Sequence, residues 1–168
     1  LIEGNTIKFN SRNGVYIASS SNIELRDNEI SSNTEYDLYF ASSTSNNALN
    51  TLFDTISVDS QSHLTVQNYL SVSIFEVDNS SLSGVHVRIL EESTVLYATS
   101  YFDGTAPTTR ENGTIGGIIV NDRIYDGSST PDELSTTVEI YHGDTSCNLS
   151  RDVNMSTSHT EFFVCDEE

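Results

Sequence analysis

The apolar positions of this chain fall in short alternating runs separated by Asn, Ser, Gly and Asp. Val15 and Ile17, then Ile23 and Leu25, are two residues apart, the period of a strand that buries one face. The runs repeat. A shift of 23 carries Asn5 onto Asn28, Ile7 onto Ile30, Asn10 onto Asn33, Val15 onto Leu38, Tyr16 onto Tyr39 and Ile17 onto Phe40, without a gap. The same shift carries Ile2 onto Leu25, Ser19 and Ser20 onto Ser42 and Ser43, and exchanges Gly14 for Asp37, one turn residue for another. A third, irregular copy runs from Asn46 to about Val58. A period near 23 built from short strands and polar turns predicts solenoid coils of three strands and three turns. Stacked coils lie about 4.8 Å apart, so like residues should form ladders, Asn on Asn and Tyr16 on Tyr39. Asn5, Asn10, Asn28 and Asn33 are expected at left-handed turn positions, which Asn tolerates.

From Ser62 the pattern changes. The run H-L-T-V-Q-N-Y-L-S-V-S-I-F-E-V-D predicts a strand that leaves the repeat and enters a new sheet, with Asp78-Asn79-Ser80-Ser81 as its turn. Further strands are predicted over Val85–Leu90, Thr94–Ala98, Gly113–Ile124, Thr136–His142 and Thr160–Cys165. Turn signals separate them at Glu91–Ser93, Asp103–Pro107, Asp126–Pro131 and Gly143–Asn148. Short strands punctuated in this way predict a β-sandwich. The expected fold class is therefore all-β: parallel β-helix coils over residues 1–61, then a small sandwich over residues 62–168.

Composition supports strands over helices. Ser, Thr and Asn together make up 59 of 168 residues, while the good helix formers are scarce. With 25 acidic and 7 basic side chains the formal charge is −18, and Lys8 is the one lysine. A nucleic-acid partner is excluded as an expectation, because no basic surface exists to displace phosphate counterions. No run of 18 apolar residues occurs, so no transmembrane segment is expected. The hydrated acidic surface suits an extracellular, cell-surface or saline setting.

The run N-x-I-x-x-N-x-x-x-G-V-Y-I over residues 5–17, repeated in character at 28–40, resembles the right-handed parallel β-helix repeats of the NosD-like and pectate-lyase-like families. Two and a half such coils bury little core, and the chain opens in mid-repeat, so further coils are expected upstream. The later run L-S-V-S-I-F-E-V-D, with Gly84-Val85-His86-Val87 and Thr109 to Thr114, resembles the carboxypeptidase-regulatory-like (transthyretin-like) sandwich. Arg110 stands where that family usually has Asp, a departure that touches the turn and not the sandwich. Such modules usually serve as structural or adhesive additions, and a generic Ig-like sandwich is the alternative reading of the same strands. The NosD likeness implies copper handling, but one Met and no His cluster give copper no ligand set. The lyase likeness implies Asp-bound calcium with a basic residue, for which Lys8, Arg12 and Arg26 are the available cations.

Candidate chemistry is sparse. His63, His86, His142 and His159 stand at no zinc-type spacing, and His86, alternating with Val85 and Val87, is expected to face solvent. No G-x-S-x-G, P-loop or H-E-x-x-H occurs. Asp122, Asp126 and Asp132 flank a Gly-Ser-Ser loop and are weak oxygen ligands for calcium. Cys147 and Cys165 lie 18 apart near the C-terminal end, and a bridge between them would pin the last strand. In that strand Phe162 and Val164 should face one way, Phe163 and Cys165 the other. N-x-[ST] sequons at Asn79, Asn112, Asn148 and Asn154 are glycosylation candidates.

These features fit a non-catalytic structural, adhesive or glycan-contacting piece of a secreted or cell-surface protein. Its expected partners are cell-surface glycans or neighbouring surface-protein modules. The alternative is the C-terminal part of a polysaccharide lyase or glycoside hydrolase whose active coils lie upstream.

Overall fold

A computed structural model describes residues 1–143 and 147–165. It is all-β, with one short 3-10 helix at Ser100–Phe102. No helix among the described residues is long and apolar enough to cross a membrane. The chain divides into two compact units, the first holding residues 1–67 and 121–134, the second residues 68–120 and those described from Ser135 on.

In the first unit the chain makes three passes. The first lays down β1 (Ile2–Glu3), β2 (Thr6–Lys8) and β3 (Val15–Ala18). The second lays down β4 (Glu24–Arg26), β5 (Glu29–Ser31) and β6 (Leu38–Ala41), and the third β7 (Asn46–Leu49), β8 (Leu52–Phe53) and β9 (Ile56–Val58). Successive passes pair in parallel, so that β1-β4-β7, β2-β5-β8 and β3-β6-β9 form three ladders. Between the first two passes the register is the shift of 23: Ile2 on Leu25, Ile7 on Ile30, Tyr16 on Tyr39, Ile17 on Phe40. Leu25, Ile30, Leu38, Phe40, Ala48 and Leu64 are fully buried between the ladders.

The third pass is shorter at one corner. Leu52 still pairs with Glu29 at a shift of 23, but Ile56 pairs with Leu38 at a shift of 18. Five residues are lost between β8 and β9, where only Asp54 and Thr55 turn the corner. The shortened register continues: β10 (His63–Glu76) stacks on β7 with Leu64 opposite Asn46.

The corners depart from the expectation for Asn. The left-handed residues are those preceding the Asn: Gly4 (φ 66°) and Asp27 (φ 54°), Phe9 (φ 60°) and Ser32 (φ 59°). Asn5, Asn28, Asn10 and Asn33 instead spend their carboxamides between passes. Asn28 Oδ1 accepts from Asn5 N (3.0 Å) and Asn5 Nδ2 (3.2 Å), and Asn33 Oδ1 accepts from Asn10 N (3.1 Å) and Asn10 Nδ2 (2.8 Å). Asn28 Nδ2 donates back to Ile2 O at 2.9 Å. A polar group that leaves water needs such a partner, and the repeat supplies one from the neighbouring pass.

The second unit has two sheets sharing one core. In one, β11 (His86–Glu91), β12 (Thr94–Ala98), β15 (Thr136–Tyr141) and β16 (Asn148–Val153) lie antiparallel in the order β12-β11-β15-β16. The other combines the later part of β10 with β13 (Thr114–Asp126) and with β17 (His159–Cys165), which runs parallel to β10. The alternating residues Leu70, Val72 and Ile74, Val85, Val87 and Ile89, Val138 and Ile140, and Phe163 are all fully buried in one cluster. Each such side chain contributes about 1.5–3 kcal/mol by leaving water. The expected alternation of the last strand is present: Phe163 and Cys165 point inward, while Phe162 and Val164 are more than half exposed.

Two elements were illegible in the pattern. Strand β16 falls where the sequence suggested a return connection, because N-L-S-R-D-V sits at a sheet edge and only Val153 is buried. Of the turn expected at Gly143–Asn148, residues 144–146 lie outside the described residues. The two-residue strand β14 (Asp132–Glu133) pairs with Ile124 and Arg123 of β13, in the short stretch between the turn expected at Asp126–Pro131 and the strand expected from Thr136. Finally, β10 and β13 each supply residues to both units. The dividing line by compactness therefore differs from one drawn at residue 61, since residues 121–134 join the first unit.

Candidate ligand-binding cleft

The corner joining β2 to β3 carries Arg12, Asn13 and Gly14. Gly14 must be glycine: a Cβ there would lie 2.6 Å from both Asn33 Nδ2 and Ile30 Cγ2 and 2.8 Å from Asp37 O. Its N–H donates to Tyr36 O (2.9 Å), and Val15 N–H to Asp37 O (2.9 Å), so corner and strand are laid directly on the pass beneath. Val15 and Ile17 then face the core, and Tyr16 between them faces out, 59% exposed. Its ring stacks on Tyr39 at 5.1 Å and 21°, and Tyr39 meets Tyr36 at 5.8 Å. Arg12 Nε lies 3.3 Å from Glu35 Oε1.

Arg12, Asn13 and Tyr16 line a cleft of about 340 Å³, within the size range of small-ligand sites. Asn13 Oδ1 is shut from solvent and has no hydrogen-bond partner among the described residues. The exposed Tyr16 ring offers a face to sugar C–H groups, and the Arg12 guanidinium offers donors to hydroxyls, while the enclosed Asn13 Oδ1 is out of a ligand's reach.

Beneath it, Asp37 is the electrostatic hub of the unit. It is 1% exposed, and its carboxylate accepts from Asn33 N (3.3 Å) and Nδ2 (2.8 Å), Asp54 N (3.0 Å), and Thr55 N (3.0 Å) and Oγ1 (3.1 Å). Burial opposes its ionisation, but the bonds from Asn33, Thr55 and Asp54 together outweigh burial and hold the pKa below the usual carboxylate value. Asp37 thus closes the two-residue corner of the third pass. Asp122 has the opposite character. It is 4% exposed, and burial raises its pKa, with Arg123 pulling it down and Glu133 pushing it up. Arg123 Nε lies 3.1 Å from Asp122 Oδ2 without forming an aligned hydrogen bond.

The structure does not gather the three calcium candidates. Asp122 is buried on β13, whereas Asp126 at its end and Asp132 on β14 are exposed. No group of three or more His, Cys, Asp or Glu side chains converges among the described residues. The histidines are likewise dispersed. His63 opens β10; His86 hydrogen-bonds Thr99 Oγ1 through Nδ1 (3.0 Å); His142 follows β15; His159 Nδ1 bonds Thr157 O (3.0 Å). Against expectation His86 is half-buried, because Tyr101 and Tyr141 cover it at 5.7 and 6.4 Å.

Cys147 and Cys165 form a disulfide with Cα atoms 4.9 Å apart, both sulfurs inside the core. Asn79 occupies a left-handed turn (φ 67°). Asn112 Oδ1 accepts from Thr114 Oγ1 (2.7 Å), and Asn154 Oδ1 from Ser156 N (2.9 Å). Asn148 is exposed on β16, directly opposite Tyr141.

Arg12 was visible in the sequence only as a cation; nothing there marked Asn13 as its neighbour in a cleft. Comparison with protein-family models, with curated proteins and with solved structures finds no match.

Proposed function

We propose that this chain is a non-catalytic structural and adhesive part of a secreted or cell-surface protein, and that it contacts neutral glycans through the cleft beside Tyr16. In this reading residues 1–61 are coils of a right-handed parallel β-helix of the NosD-like or pectate-lyase-like kind. Residues 62–168 are a carboxypeptidase-regulatory-like sandwich. The parallel register at a shift of 23 supports the first, and the two-sheet core supports the second. The disulfide and the charge of −18 support an oxidising, extracellular setting. The acidic surface favours neutral over anionic sugars.

The observation that carries glycan contact is the exposed Tyr16 ring beside the Arg12 guanidinium in one cleft. The test is calorimetric titration of the whole chain with a panel of neutral oligosaccharides. The expected result is binding that Tyr16→Ala weakens about tenfold or more, equivalent to about 1.4 kcal/mol, and that Tyr16→Phe retains. Equal binding by Tyr16→Ala, or no binding by the unsubstituted chain, contradicts the reading.

A further inference from the structure

We propose that Asn148 is an N-glycosylation site whose first sugar ring packs on Tyr141, making the attached glycan part of the fold of the second unit. Four sequons occur, but they differ in surroundings. Asn79 sits at a turn tip, and Asn112 and Asn154 have their side-chain oxygens engaged by their own turns. Asn148 alone of the four lies within a regular strand and opposite an aromatic residue.

The geometry follows from strand alternation. Cys147 is fully buried in the core, so Asn148 projects to the other face of β16. Ile140 is fully buried on β15, so Tyr141 projects to that same face. Directly opposed residues on one face have Cβ atoms about 4.5–5.5 Å apart, the reach of a ring attached at Asn148 Nδ2. One face of Tyr141 is taken: Tyr101 stacks on it at 3.6 Å and 7°. Tyr101 belongs to the short helix after β12, which lies against β11. In the sheet order β12-β11-β15-β16, this puts Tyr101 on one side of Tyr141 and Asn148 on the other. In the proposal, the face of Tyr141 that Tyr101 does not cover meets the first sugar of the modified side chain. A pyranose offers it a flat array of C–H groups, which match the negative face of the ring.

The modification needs a polyprenyl-(di)phosphate-linked oligosaccharide and a membrane transferase. The anomeric C1–O bond to the lipid (di)phosphate breaks, and its electron pair leaves with the phosphate oxygen. A C1–Nδ2 bond forms, and Nδ2 gives up one proton. Ser150, two residues on, completes the sequon on the same exposed strand.

The experiment expresses the whole chain in a secretory host that glycosylates N-x-[ST] and maps glycopeptides by mass spectrometry. Asn148 is expected to be occupied. A double cycle then isolates the packing. Ser150→Ala removes the glycan and leaves Asn148 in place; it should lower Tm by about 2–4 °C in the Tyr141 protein. In the Tyr141→Ala background the same change should have little effect, and in a host lacking the transferase Ser150→Ala should be near neutral. Tyr141→Phe should behave as the unsubstituted chain. An unmodified Asn148 in folded, secreted protein overturns the proposal, as does an equal Tm loss with and without Tyr141.

Discussion

The two units reach stability by different routes. In the first, strands are two to four residues long up to β9, and the unit depends on like polar groups meeting between passes: Asn5 on Asn28, Asn10 on Asn33, Asp37 over the corner of the third pass. In the second, strands of five to fourteen residues close a continuous apolar core, and a disulfide ties the last strand. The contrast teaches that a repeat built on short strands around an apolar core leans further on hydrogen bonds between passes, provided that every corner delivers its donor to the pass beside it. Such a unit should be brittle to the loss of one acceptor, whereas the second should be brittle to the loss of a cross-link or of core volume.

The largest expected effect is therefore at Asp37. Asp37→Ala strands the N–H groups of Asp54 and Thr55 and the side chain of Asn33, and should destabilise the first unit by about 3–5 kcal/mol in chemical denaturation. Asp37→Asn, which keeps one acceptor, should cost less. The pH dependence has a definite sign. A carboxylate whose folded pKa is lowered contributes stability that is fully present above its unfolded value, about 3.9, and that is lost as pH falls through the folded value. Asp122, whose folded pKa is raised, acts in reverse: its burden on the folded state is relieved as pH falls through that raised value, so Asp122→Asn should flatten this part of the profile.

Next in size is the cross-link of the second unit. Reducing Cys147–Cys165, or replacing both by Ala, frees a loop spanning 18 residues and should cost about 3 kcal/mol, read as a drop in denaturation midpoint. The first unit's midpoint should move little. Gly14→Ala is smaller again. The new Cβ meets backbone oxygen as well as two side chains, and a shift of the corner should cost about 1–3 kcal/mol in the first unit.

How much of this was legible in the sequence follows the same division. The register of the first two passes was readable, because a gapless repeat must stack residue on residue, and Tyr16 does lie on Tyr39. The role of Asp37 was not. In the repeat it replaces Gly14 and reads as one turn residue for another, while its partners Asp54 and Thr55 are brought near only by the five-residue shortening of the next pass. The corner Asn residues were noticed but given the wrong task, since a carboxamide stacked across passes and an Asn in a left-handed turn leave the same letter. In the second unit the core strands were readable from alternation. Edge strand β16 was not, because five of its six residues face solvent. Of the cleft, Arg12 and Tyr16 stood out singly, and only the fold brings them together with Asn13.

The claim that polar ladders hold one unit and an apolar, cross-linked core the other is tested most directly by residue-resolved hydrogen exchange. Protection would be followed at β6 and at β15, first on lowering the pH below 3.9, the usual carboxylate value, and then at neutral pH with reductant. The account predicts that acid strips protection from Leu38–Ala41 before Thr136–Tyr141, and that reduction does the opposite. Loss of protection in the same order under both treatments would contradict it.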